Sequence, residues 1–179
     1  MSDSTSRVLG RLGVVGDAGV VRIEDRYDTG IDDLWAAVTD PDRLARWYGK
    51  VEGDLRLGGS FTVYVESAEL ESIGQVEVCE APARLRVTTR ETDESAHRGD
   101  GPPPFRQTIE ATLIADGSQT ILTIEIAGLP LDKIEYFGAG WQLRAENLAA
   151  YLTHQEPPDP EPRWADLVPA YQHLAATIR

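Results

Sequence analysis

The chain changes hydrophobic period several times, and each change marks an element. Residues 8–15 and 20–27 are apolar-rich arms around Gly16-Asp17-Ala18-Gly19, which predicts a β-hairpin whose second arm alternates from Val21 through Ile23. From Ile31 the period becomes helical: Ile31, Leu34, Trp35 and Val38 fall at i, i+3, i+4 and i+7. Thr29 is the expected N-cap of this helix, with Asp32 its partner three residues on, and Trp35, central in the stripe, is expected in the core. Thr39-Asp40-Pro41 ends the helix and opens another, because the residue before proline avoids αR while Asp40 can cap and Pro41 suits the first helical position. Leu44, Trp47 and Tyr48 give the second short helix its apolar side.

Beyond Gly49 the pattern alternates. Residues 51–57, 60–66, 71–80, 84–91, 107–116 and 120–127 predict six strands, with Gly58-Gly59 a turn into the strand led by Phe61, Val63 and Val65. Residues 92–104, TDESAHRGDGPPP, carry turn formers and charge and no apolar residue except Ala96, which reads as a hairpin loop or as a lid over a cavity mouth. The longest helical pattern runs over 132–152, where Ile134, Phe137, Trp141, Ala145, Leu148 and Leu152 make a stripe along ~30 Å of helix. Gly138 and Gly140 interrupt it at ~1 kcal/mol each against alanine. They imply close approach of a backbone or a ligand, or a helix that begins near Ala139. Residues 155–162, QEPPDPEP, read as a stiff extended linker. Trp164, Leu167, Val168 and Tyr171 then predict a short C-terminal helix packed back on the domain.

Closely spaced strands pair antiparallel, since parallel crossovers need a dozen or more residues. A curved antiparallel sheet must cover its apolar face, and the long C-terminal helix is the element able to do so, giving an α+β fold. The expected organisation is a disordered 1–6, a single domain over 7–153, and a linker with a docked helix over 154–179.

The pattern W-x-x-x-T-D-P-x-x-L-x-x-W-Y followed by G-D-x-R-x-G-G-x-F is carried by Trp35, Thr39, Asp40, Pro41, Leu44, Trp47, Tyr48, Gly53, Asp54, Arg56, Gly58, Gly59 and Phe61. With Gly74, Pro82, Leu85 and Gly140-Trp141, it resembles the START/SRPBCC superfamily, and within it the activator-of-heat-shock-chaperone-ATPase homologues. The resemblance spans residues 20–153. It implies a helix-grip fold, in which a curved antiparallel sheet wraps a long C-terminal helix, leaves a cavity between them, and is closed at one end by two short helices after the first strand. The superfold carries several unrelated functions, so the resemblance is specific for fold and not for activity.

Composition narrows the function classes. At 179 residues one domain is the natural count. A net charge of −13 disfavours sequence-independent binding to nucleic acid or anionic membrane, and no apolar run approaches the ~20 residues of a membrane span. The N-terminus lacks a continuous apolar signal core and Cys79 is the sole cysteine, so a cytoplasmic location is expected, with Cys79 a small apolar filler. His97, His154 and His173 form no ligand or catalytic spacing, and neither metal nor cofactor is expected. Asp40 is explained as a helix cap, and Asp54 as a solvated strand end or an ion pair with Arg56.

Three functions remain. The first is a non-catalytic cavity for an apolar or amphipathic small molecule, with Trp47, Tyr48, Phe61, Val63, Leu85, Tyr136, Trp141 and Arg144 as candidate lining. Arg144 would anchor an anionic head if it faces the sheet, but a solvated outward position is the commoner disposition of arginine. The second, implied by the resemblance, is a chaperone-associated protein. The third is a cyclase- or hydratase-type enzyme on a polyketide-like ligand, for which Arg144, Tyr64 and Tyr136 are the available groups. Either a monomer or a homodimer is compatible with the sequence.

Overall fold

The computed structural model describes residues 8–66, 69–92 and 105–179, so the predicted disordered start and the body of the polar loop lie outside the described residues. The strands are Gly10–Val15 (β1), Ala18–Tyr27 (β2), Lys50–Gly53 (β3), Ser60–Val65 (β4), Leu70–Glu80 (β5), Arg84–Glu91 (β6), Arg106–Asp116 (β7) and Gln119–Leu129 (β8). Two short helices, Ile31–Thr39 (α1) and Pro41–Leu44 (α2), follow β2; a long helix, Ile134–Leu152 (α3), and a final one, Pro160–Ala175 (α4), follow β8. All eight strands join one antiparallel sheet in the order β1-β2-β8-β7-β6-β5-β4-β3. From β3 onward, sequence neighbours are sheet neighbours; the long step is from β2 to the opposite edge at β3, and α1 and α2 make it. This puts the two short helices across the open end of the curved sheet, the helix-grip arrangement.

The concave face follows from period-2 alternation. β4 alternates exposed and buried at every residue, and Phe61, Val63, Val76, Ala111, Leu113, Leu122, Ile124 and Ile126 all turn inward. α3 supplies Ile134, Trp141, Ala145 and Leu148 to the same core, and the Tyr27 hydroxyl donates to the Ala145 carbonyl at 3.3 Å. Phe137 and Leu152, expected fully inside, are half-buried at the flank of the stripe. In α1 the inward side is Leu34, Ala37 and Val38, which leaves Trp35 half-buried instead of in the core.

Several local expectations change. The α1 N-cap is Gly30, and Thr29 instead donates its hydroxyl to Asp33 at 2.7 Å. Asp40 does cap α2, accepting from the Asp42 amide at 2.9 Å. β3 stops at Gly53, because Asp54 folds the next residues into a turn by accepting from the Arg56 amide and guanidinium. The stretch expected to be extended through Pro162 becomes helical at Pro160. Both Pro160 and Pro162 sit in the first turn, where no amide donor is required, and Asp159 caps by accepting from the Glu161 amide.

α4 is bound to α3 by chemistry as well as by packing. The Tyr171 hydroxyl donates to Gln142 Oε1 at 2.7 Å, with both side chains buried, and the amide of half-buried Leu9 donates to the same oxygen at 2.9 Å. Arg163 grips Glu146 through two hydrogen bonds, and Arg179 pairs with Glu135. Gly138 is explained here: a Cβ would stand 2.4 Å from the Tyr171 ring.

Leu148→Ala should cost ~2–5 kcal/mol in a denaturant titration, through lost transfer energy and the cavity left behind. Gly138→Ala should destabilise by ~1–3 kcal/mol despite alanine's better helix propensity, because the tyrosine ring must move. A gain in stability for the second variant would mean that α4 does not sit on α3 as described.

Candidate functional site

The site grows out of the turn after α2. Trp47 is buried, and its indole Nε1 donates to the Ala37 carbonyl at 2.9 Å, tying the end of α2 to α1. The next ring, Tyr48, lies 5.6 Å from Trp47 and stacks on Trp141 of α3 with centroids 5.8 Å apart and planes at 27°. Arg144 follows Trp141 by three residues and so emerges on the same side of α3. Its guanidinium carbon stands 4.8 Å from the Trp141 ring centroid and 5.3 Å from that of Tyr48. Among the described residues it makes no hydrogen bond or ion pair. Burial pushes the Arg144 pKa down and that of the Tyr48 hydroxyl up, although an arginine so displaced still carries its charge at neutral pH.

These aromatics stand between two adjoining chambers. The inner one, of about 90 Å³, is almost wholly apolar and is lined by Leu44, Phe61, Val76, Leu85, Val87 and Ile109 among others. The outer one, of about 720 Å³, opens between the sheet and α3 and is lined by Val65, Leu70, Phe105, Phe137, Gly140, Arg144 and Asn147. Trp47, Tyr48, Val63, Thr89 and Trp141 belong to both. Polar groups gather in the outer chamber: Ser72, Thr89, Glu91 and Gln107 from the sheet, Arg144 and Asn147 from α3, and Glu161 from α4. Gln107 Nε2 donates to Thr89 at 3.1 Å, while its buried Oε1 has no partner among the described residues. Burial raises the Glu91 pKa above the usual carboxylate range.

All eight sequence candidates touch one chamber or the other: Phe61 and Leu85 the inner, Tyr136 and Arg144 the outer, and Trp47, Tyr48, Val63 and Trp141 both. Arg144 is therefore not the outward solvated charge that arginine's usual distribution favours. Tyr136 stands at the rim, 40% exposed. Trp164, expected to pack on the domain, is 39% exposed and stacks on Tyr136 at the rim. Sequence reasoning missed Thr89, Glu91 and Gln107, although Thr89 and Glu91 continue the alternation from Leu85 along β6. It also assigned Pro160, Glu161 and Trp164 to a tail and not to the site. Among the described residues no group of three His, Cys, Asp or Glu side chains converges on a metal-sized site, and no helix is long and apolar enough to cross a membrane.

A model of the family described as Activator of Hsp90 ATPase homolog 1-like protein matches residues 28–153. The chain belongs to that family. The match to this Activator of Hsp90 ATPase homolog 1-like family takes in α1, α2, β3 to β8 and α3, with the Trp47–Tyr48–Trp141–Arg144 stack, and leaves β1, β2 and α4 outside. Comparison with curated proteins finds no match. Among solved structures, CalU16 from Micromonospora echinospora is 26% identical with a TM-score of 0.74, over 93% of this chain and 97% of its own. DynU16, a protein of the dynemicin biosynthetic locus, is 27% identical with a TM-score of 0.65, over 80% of this chain and 49% of its own. A conserved protein from Enterococcus faecalis, 13% identical, shares the fold with a TM-score of 0.69 over 95% of this chain and 92% of its own.

The Glu91 environment predicts a pH effect of definite sign. A carboxyl with a raised pKa takes up its proton at higher pH than an ordinary carboxylate, so lowering the pH removes negative charge from the cavity wall before exposed carboxylates protonate. A permanently charged aryl sulfonate should therefore bind more tightly as pH falls, and Glu91→Gln should flatten the dependence. Tighter binding at higher pH in the parent protein would contradict this electrostatic picture.

Proposed function

We propose that the chain is a non-catalytic binding protein for an amphipathic small molecule that carries an acid group. The apolar body occupies the chambers and the acid meets Arg144. The observation that carries this reading is Arg144 itself, a desolvated guanidinium stacked on Trp141 and Tyr48, with no carboxylate beside it among the described residues. A half-buried charge with no ionic partner is costly, and an anionic ligand would offset that cost where the rings do so only in part. The outer chamber has the size of a drug-like ligand site, and its few polar groups sit among apolar walls, as such sites require. DynU16's place in a biosynthetic locus supports a natural-product-like ligand. Catalysis is disfavoured because, among the described cavity residues, no nucleophile is hydrogen-bonded to a base.

The family description supplies the second reading, a chaperone co-factor, to be tested by stimulation of a partner chaperone's ATPase.

The test is a Trp fluorescence titration against fatty acids, aromatic acids and polyketide-like compounds. An acid ligand should bind in the micromolar range, about −8 kcal/mol, and Trp47→Phe or Trp141→Phe should remove most of the response. Arg144→Leu should weaken the acid by ~1–3 kcal/mol and leave a neutral analogue unchanged. No response to any compound, or an equal loss for acid and neutral analogue, would contradict the proposal.

A further inference from the structure

α3 contains two glycines, and only one is required by the fold. Gly138 faces the Tyr171 ring, as described above. Gly140 lines the outer chamber, and the nearest atom to a Cβ built there, Trp164 Cζ3, is 3.8 Å away with nothing else within 4 Å. Helix propensity favours alanine at such a position, and the protein's own packing gives no reason against it. The empty space beside Gly140 is bounded by Trp164 and Tyr136, whose rings are nearly parallel, 20° apart in plane with centroids at 6.4 Å. Both rings keep about two-fifths of their surface exposed, and Trp164 follows Arg163, whose ion pair with Glu146 at 2.6 Å fixes the start of α4 on α3.

We infer that this corner is a subsite for a flat ring, with Gly140 as its floor and Trp164 as its wall. The inference rests on the cavity reading above and narrows its ligand. Gly140 and Arg144 are one helical turn apart, ~6 Å along the axis, so the ring and the acid lie close together in the ligand. That spacing suits an aryl acid better than a fatty acid, whose apolar part is a flexible chain. It also makes α4, which lies outside the family match, an element of the binding site.

The test compares anilinonaphthalene sulfonate, whose acid sits on its ring, with decanoate, by calorimetry on the full chain. Gly140→Ala should keep or raise the melting temperature and weaken the sulfonate ~10-fold, with decanoate changed less than ~2-fold. Trp164→Ala should shift the same ratio in the same direction. If both probes bind, Arg144→Leu weakens both, and neither variant alters their ratio, the ring subsite is wrong while the cavity reading stands. If neither probe binds the parent protein, both fail. A lowered melting temperature for Gly140→Ala would show that packing requires the glycine, and would also overturn the inference.

Discussion

A single straight helix cannot touch the whole concave face of a curved eight-stranded sheet, and the rest of this structure follows from where the contact is made. α3 packs chiefly on β1 and β2, at one edge, with α4 on its outer side. The inward rows of β4, β5, β6 and β7 are apolar toward the inner chamber and carry Ser72, Thr89, Glu91 and Gln107 toward the outer one, and α3 leaves much of their surface uncovered. α1 and α2 close one end, and the Trp47–Tyr48–Trp141 cluster divides what remains. The cavity is thus a consequence of mismatch between a straight element and a curved one. Its sheet wall is a single row set because period-2 alternation commits every inward position to one face, apolar in the inner chamber and partly polar in the outer.

Placing one arginine in such a space has large electrostatic consequences. Aromatic faces compensate part of its charge, but the low-dielectric walls strengthen any interaction with an entering anion. The net charge of the chain, −13, opposes that approach from a distance. Local attraction and global repulsion therefore act on different length scales, and moderate salt screens the second more than the first. Glu91 on the sheet side makes the balance dependent on pH.

Much of the fold was legible in the sequence because its signals are local and repeated. Alternation named the strands from Phe61 onward, the TDP turn placed the two short helices, and the stripe from Ile134 to Leu152 identified the helix. The aromatics of the site were legible for the same reason, since Trp47, Tyr48 and Trp141 sit where those helices end or face the sheet. The direction of Arg144 was not legible: three residues after Trp141 it lies at the border of the stripe, and whether that border meets water or a cavity depends on how far the sheet curves. Nor was the role of α4. Pro160 and Pro162 read as helix breakers until a capping aspartate makes them a first turn, and Trp164 reads as a core contact until the rim is in place. Gly140 was marked by its cost to the helix, but what fills the space beside it is a tertiary fact.

The central claim is that Arg144 and the aromatic stack form an occupied-by-design interior, and amide and side-chain NMR during titration with an aryl sulfonate tests it most directly. The account predicts that the largest shifts fall on the Trp47 and Trp141 indole N–H signals, the Arg144 guanidinium and the inward positions of β6 and β7. Shifts confined to the convex face of the sheet or the outer face of α4 would contradict it.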